Sequence, residues 1–214
     1  MIEDQDLTGF RLMHAGFRAE FGRLAQACGH PRDDAHELLL SEQLTLVLDM
    51  LHAHHRHEDT VLWPKLVARA PGSAPVLAEL EAEHEVLDRL VAAAGDHQVP
   101  LAERADALRQ LHTVVNDHLD HEERIAVPLM LAHLTPDDIE ADKRQAAADF
   151  GRRRTPVIVG WLASSAEPAL LASSQAELPV VARLLFRLFW WPSYRRRFCA
   201  LYGAPVPVNP VLGL

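Results

Sequence analysis

Cysteine is scarce in this sequence: Cys28 and Cys199 are the only two among 214 residues. They lie far apart and form no C-x-x-C pair, so we expect neither a disulfide framework nor a thiolate metal site. We interpret both as reduced thiols.

Long apolar runs and a basic, apolar start are also missing. No stretch approaches the roughly 18 uninterrupted apolar residues that a membrane span requires. The first ten residues, MIEDQDLTGF, are acidic where a signal peptide would be basic. We therefore expect a cytoplasmic protein. With 49% hydrophobic residues the chain can bury a core, but a second catalytic domain has little room.

Negative charge is concentrated in the first part of the chain. Residues 151–214 contain eight Arg and two Glu, or +6, so the net charge of −9 leaves −15 for residues 1–150. Such an acidic body is not expected to bind nucleic acid, because phosphate binding requires clustered Lys and Arg. The change in composition predicts a domain in residues 1–150 and a basic helical extension in residues 151–214, packed on it.

Proline and glycine divide the first 150 residues into four helical stretches, at about 3–28, 31–66, 73–94 and 100–133. In each stretch the apolar residues follow the three-and-four spacing of one buried helix face; the second runs from Leu44 to Val61. We therefore predict an all-α protein built as a helical bundle.

Each apolar stripe is interrupted by a histidine, and two stripes carry a glutamate one turn later. A bundle core tolerates buried polar groups only when they are paired or bound to a metal. Four histidines and two glutamates at matching positions therefore predict a common site, made by His14, His54, Glu58, His84, His118 and Glu122.

The second and fourth stretches repeat each other. His54–Pro64 aligns with His118–Pro128, and His, His, Glu, an acid and Pro recur in register. The pattern indicates two similar helical hairpins. Pro64 and Pro128 are expected to end or kink their helices just beyond the site.

The His-to-Glu spacing is typical of metal chemistry. Residues four apart share one face of a helix, so each pair offers a nitrogen and an oxygen to one site. A carboxylate has two oxygens and can bridge two cations, while neutral imidazole binds iron, copper, zinc or manganese. Two bridging glutamates and four terminal histidines predict a dinuclear centre.

The segment His54–Pro64 resembles the HHxxEExxLFP-like signature of the hemerythrin or HHE cation-binding family, with Asp59 and Trp63 as departures. Glu83–His84 is similar to its third-helix EH motif, and the resemblance covers about residues 5–135. It implies an antiparallel, up-down-up-down four-helix bundle. It also implies two iron ions with an oxo or hydroxo bridge, which zinc can replace, and reaction with dioxygen, peroxide or nitric oxide.

One departure bears on function. Oxygen-carrying members of that family have a second histidine four residues after the third-helix ligand, where this chain has Asp88. This difference favours peroxide decomposition or redox sensing, including a peroxidase- or catalase-like activity, over oxygen storage. An iron-binding, iron-sensing or oxygen-storage protein without turnover remains the alternative, as does a structural bundle with inert zinc.

The other candidate groups have weaker positions. His55, His57 and His121 lie off the stripes and are interpreted as solvated or as neighbours of ligands. Glu81 stands three residues before His84, as in ferritin-like sites, and is a secondary candidate.

The segment after residue 177 predicts a basic amphipathic helix, with a short last helix ending at Gly203. Such a helix can bind a membrane or a partner. We expect instead that the +6 extension packs on the −15 body, without membrane contact.

Overall fold

The computed structural model describes residues 2–212, and this part of the chain contains helices and loops but no strand. The predicted all-α class is therefore confirmed. The chain falls into two compact units: residue 2 with Glu20–Pro136, and Glu3–Ala19 with residues 137–212. Helix α1 (Thr8–Ala27) runs from the second unit into the first.

The first unit contains four further helices, which follow the stretches predicted from sequence. They are α2 (Asp34–His57), α3 (Trp63–Arg69), α4 (Ala74–Gly95) and α5 (Ala105–His133). Helix α4 packs against α2 and α5, and α3 packs against α5. These contacts place the C-terminal end of α2 beside the middle of α4 and α5.

Helix α2 begins where the sequence provides a cap. The Asp33 side chain accepts a hydrogen bond from the His36 backbone N–H at 2.8 Å. Asp34 and Glu37 add negative charge to the first turn, which favours the positive end of the helix dipole. Deeper in the unit, Gln43 donates to the fully buried Glu20 carboxylate at 2.7 Å, so α2 and the end of α1 also share a polar contact.

Between α2 and α3 the backbone widens into a π-helical segment, Glu58–Leu62, just before Pro64. Proline has no N–H for the α-helical ladder, and its ring crowds the carbonyl one turn back. The wider turn shifts the buried face by one residue. Leu62 is therefore buried, whereas Val61, which the stripe places inside, is 40% exposed.

Neither proline ends the helical path. The chain continues past Pro64 to the end of α3, and α5 continues past Pro128 to His133. Of the expected end or kink, neither proline thus ends its helix, and the winding changes at the π-helical segment before Pro64.

The second unit is built from the start of α1 and the later helices α6 (Pro136–Ser165), α7 (Pro168–Glu177), α8 (Val180–Leu185) and α9 (Trp191–Tyr202). A second π-helical segment, Phe186–Trp190, joins α8 to α9. Helix α6 is interrupted at Gly151, which has a φ of +66°. Gly203, with a φ of +68°, ends α9 as predicted, because L-residues rarely adopt this conformation.

The core of the second unit centres on Trp161, which is fully buried. Its indole N–H donates to the carbonyl of Gly16 at 3.2 Å, and its ring centroid lies 5.6 Å from that of Phe17. Close by, Gly160 lies against the ring of Tyr194. Across residues 2–212, none of the helices is long and apolar enough to cross a membrane.

Candidate metal centre

Five of the six predicted ligands lie in the first unit, on four helical elements. These five are His54 at the end of α2, Glu58 at the start of the π-helical segment, His84 on α4, and His118 and Glu122 on α5. Their side chains are at most 12% exposed. The sixth, His14, lies on α1 in the second unit and is buried, with its ring centroid 4.0 Å from that of Phe10.

Both His-to-Glu pairs have the predicted geometry. His54 Nε2 lies 3.2 Å from Glu58 Oε1, and His118 Nε2 lies 3.5 Å from Glu122 Oε2. The second oxygen of Glu58 lies 3.8 Å from His84 Nε2. Glu58 therefore faces histidines of two different helices, as a bridging carboxylate must.

The potential donor atoms form two adjacent groups. Ligand atoms of His54, Glu58 and Glu122 all lie within 4.8 Å of one another. Those of His55, His84 and His118 do the same. Each group has a suitable size for one cation, because metal–nitrogen and metal–oxygen bonds of about 2 Å place neighbouring donors roughly 3–4 Å apart.

His55 is a member of this cluster that the sequence analysis left out. It is 3% exposed, its ring stacks on His84 with centroids 4.1 Å apart, and it lies 5.3 Å from His118. A stripe drawn at three-and-four spacing is one residue wide, whereas an interior helix buries a broader face. The signal in the sequence is the pair of adjacent histidines, His54 and His55. In the second copy of the motif, Leu119 occupies the position of His55.

Carboxylates outside the cluster hold the imidazoles in place. His84 Nδ1 lies 2.7 Å from Asp59 Oδ1, and His118 Nδ1 lies 2.8 Å from Glu83 Oε2. The other oxygen of Glu83 lies 2.7 Å from His121 Nδ1. An Nδ1–H that donates to a carboxylate leaves the Nε2 lone pair available for a cation, and makes the imidazole a stronger donor.

Several of the inward-facing atoms lack hydrogen-bond partners. Within residues 2–212, neither oxygen of Glu58 nor the Nε2 atom of His84 or His118 makes a hydrogen bond of acceptable geometry, although all are buried. A buried polar group without a partner costs about 1–3 kcal/mol, and a buried charge costs more. A metal cation satisfies nitrogen lone pairs and carboxylate oxygens together, so these residues fit one.

The electrostatics of the cluster lead to the same requirement. Burial raises the pKa of Glu58 well above its usual range, and the adjacent charge of Glu122 raises it further. Burial lowers the pKa of His118, but Glu122 and Glu83 outweigh it and the net shift is upward. Two neighbouring buried carboxylates can therefore stay ionised only beside a positive partner.

The pKa of Glu83 moves in the opposite direction. Burial alone would raise it, but hydrogen bonds with His118 and His121, and their charges, outweigh that effect and lower the pKa. Glu83 is thus held as a carboxylate at the edge of the cluster. This ionised group can accept from both imidazoles at once.

The secondary candidates lie outside this arrangement. Glu81 is exposed, and Asp88 is 53% exposed with Oδ1 3.8 Å from Nδ1 of His52. His57 is half-buried on the last turn of α2. Asp88, which occupies the position of the missing fifth histidine, is therefore a surface residue, whereas His55 lies within the cluster.

Comparison with known proteins agrees with this site. The model of the hemerythrin HHE cation-binding domain matches residues 6–130, more than half of the chain. Searches of the curated proteins and of the solved structures found no match. The matched range includes all six predicted ligands, together with His55, Asp59 and Glu83. The chain belongs to the hemerythrin HHE cation-binding domain family.

Proposed function

We propose that the buried cluster holds two bridged iron ions. The observation that supports this most is the set of buried atoms on Glu58, His84 and His118 that make no hydrogen bond and that a cation would satisfy. The proposed ligands are three histidines for one ion and two for the other, with two shared carboxylates. One ion would be held by His55, His84 and His118, and the other by His14 and His54. Both ions would share Glu58 and Glu122.

His14 enters this proposal from the sequence. It interrupts the apolar stripe of the first helix, and it corresponds to the first-helix histidine in the resemblance to the family. The up-down-up-down arrangement of four helices in residues 1–150, with residues 151–214 as an extension packed on it, likewise remains our proposal for the fold.

The proposed activity is redox chemistry on dioxygen, peroxide or nitric oxide. Bound iron would supply one-electron steps between its ferrous and ferric states and a place for a small molecule. The protein side chains orient the donors, and Asp59 and Glu83 strengthen the donation of their imidazoles and so favour the ferric state. Peroxide decomposition or redox sensing therefore ranks first.

A second candidate function is oxygen or iron binding without turnover. The burial of His55 supports it, because a fifth histidine makes the two halves of the cluster unequal. One ion would then have three nitrogens and the other two, which leaves more room for a ligand at the second ion. Reversible binding of dioxygen uses such an inequality.

Iron content and optical spectra test the proposal. Protein made in iron-sufficient cells should contain about two iron ions per chain, and near-ultraviolet charge-transfer bands should change on addition of peroxide. Zinc alone, without these bands, would contradict the redox proposal. The reduced protein should be oxidised by dioxygen; recovery of the reduced spectrum on degassing would move oxygen storage to first place.

Variants test the ligand set. Glu58→Ala and Glu122→Ala should lose most of the bound iron, because a bridging carboxylate serves both ions. His57→Ala and His121→Ala are the matched controls on the same helical segments and should retain most of it. Equal iron content in all four variants would contradict the assignment.

A further inference from the structure

An exposed apolar stripe runs along the helical segment Val180–Trp190. Its spacing of one and three residues places the members on one side of the helix. Their exposed fractions range from 40% to 68%. The apolar stripe consists of Val180, Val181, Leu184, Leu185, Leu188 and Phe189.

The opposite side of this segment is packed. Phe186 is fully buried, and its ring centroid lies 5.8 Å from that of Trp191, which is also buried. Ala182 and Trp190 are half-buried. The segment is therefore fixed through one face while its other face stays open, and a contiguous apolar surface of this kind is typical of an interaction site.

Positive charge accompanies the apolar stripe. Arg183 and Arg187 lie within the segment and are exposed, and Arg195 and Arg196 are exposed on α9. Residues 151–214 contain only two acidic residues, Glu167 and Glu177. Apolar side chains that enter an acyl layer, with arginines that contact phosphate groups, match the surface of an anionic bilayer.

A second copy of this chain is the other candidate occupant, and it fits less well. A second copy docked through the same stripe would bring Arg183 and Arg187 close to their own equivalents, which like-charge repulsion disfavours. We propose that the apolar stripe, with Arg183 and Arg187, docks on the surface of a membrane that contains anionic phospholipids.

Vesicle flotation with the full-length, metal-loaded protein tests this proposal. Vesicles of phosphatidylcholine mixed with phosphatidylserine should bind the protein at least tenfold more strongly than vesicles of phosphatidylcholine alone. Raised salt should weaken the binding. Equal binding to both compositions, or binding to neither, would overturn the proposal.

Matched variants locate the surface. The double variant Leu188→Ser, Phe189→Ser should weaken binding at least tenfold. Leu188 is 64% exposed and Phe189 is 63% exposed, so both side chains are available for burial in the bilayer. Arg183→Gln with Arg187→Gln should weaken it roughly 30-fold. Leu38→Ser, at a position that is 63% exposed in the first unit, is the control and should leave binding unchanged.

Helix content and bound metal, measured on each variant, identify any loss of fold. Unchanged lipid binding in the folded Leu188→Ser, Phe189→Ser variant would overturn the proposal. So would a concentration-dependent dimer in the wild type that this variant abolishes, since the stripe would then belong to an interface between copies.

Discussion

At the scale of single residues, Glu83 has the most informative contacts in the site. Its two oxygens accept from His118 and His121, so one carboxylate fixes the ring orientation of a proposed ligand and of a half-exposed neighbour. The sequence showed only an acid before His84. Because α4 packs against α5, Glu83 contacts histidines of α5, which the sequence did not show.

Replacement of Glu83 by Ala should lower metal affinity about 10- to 100-fold, which is typical for loss of a carboxylate behind a ligating histidine. The bound metal should remain detectable, because Glu83 is not itself among the proposed ligands. Competition with a chelator of known affinity measures the change. Glu81→Ala, an exposed position on the same helix, is the control; an equal loss there would contradict the role of Glu83.

Cys28 and Cys199 should differ sharply in reactivity. Burial raises the pKa of the Cys28 thiol to about 12, against a smaller lowering by Arg104, whereas Cys199 is exposed. Because burial raises the pKa of Cys28 in the folded state, the protonated thiol makes its full contribution to the free energy of unfolding below the ordinary thiol pKa. That contribution is lost as the pH rises towards 12.

Thiol titration at pH 8 checks this expectation. The native Cys199→Ser variant should show no reactive thiol, and one should appear after unfolding in guanidinium. Unfolding by alkali should begin at a pH above the ordinary thiol range. Rapid labelling of Cys28 in the native variant would show that its burial is wrong.

At the scale of helices, the join between α2 and α3 shows where periodicity fails. An ideal α-helix predicts burial of Val61 after Glu58, but the π-helical segment buries Leu62 instead. Pro64 is visible in the sequence. How the backbone accommodates it depends on what packs against that turn, so the sequence indicates a perturbation without specifying its form.

In α6, Gly160 should tolerate no side chain, because a Cβ at this position would overlap the ring of Tyr194 on α9. Gly160→Ala should lower the free energy of unfolding by about 1–3 kcal/mol. Thermal unfolding measures the change. Gly9→Ala is the control in α1, where a Cβ meets nothing within 4 Å, and it should be neutral or slightly stabilising.

At the scale of the whole molecule, metal and fold should be thermodynamically linked. Without a cation, the buried side chains of Glu58 and Glu122 lie next to each other, and burial together with the charge of Glu122 raises the pKa of Glu58. A metal at about a thousandfold excess over its dissociation constant contributes roughly 4 kcal/mol. For a chain of this size, this corresponds to a melting temperature roughly 10 °C higher.

Calorimetry with and without a chelator measures that linkage. Glu58→Gln should abolish the metal-dependent shift, since it removes an anionic oxygen from the centre of the cluster. Glu81→Gln should preserve it. A wild-type melting temperature that does not change on metal removal would mean that the cluster is satisfied without a cation.

The sequence by itself determined the all-α class and the approximate helices of the first 150 residues. It also determined that residues 1–150 are acidic and residues 151–214 are basic. Periodicity, capping residues and charge are local properties, so a sequence shows them directly. The sequence also singled out His54, Glu58, His84, His118 and Glu122, since polar residues at core positions need an explanation wherever the core lies. These residues stand on helix faces that a spacing argument can find.

Only the tertiary structure decided the rest. The burial of His55, the contacts of Asp59 and Glu83 with imidazoles on other helices, and the exposure of the apolar stripe all depend on which faces meet. A helix pattern specifies which side is apolar but not how wide a face its neighbours cover. For the same reason the pattern could not show that the face carrying Arg183 and Arg187 lies open.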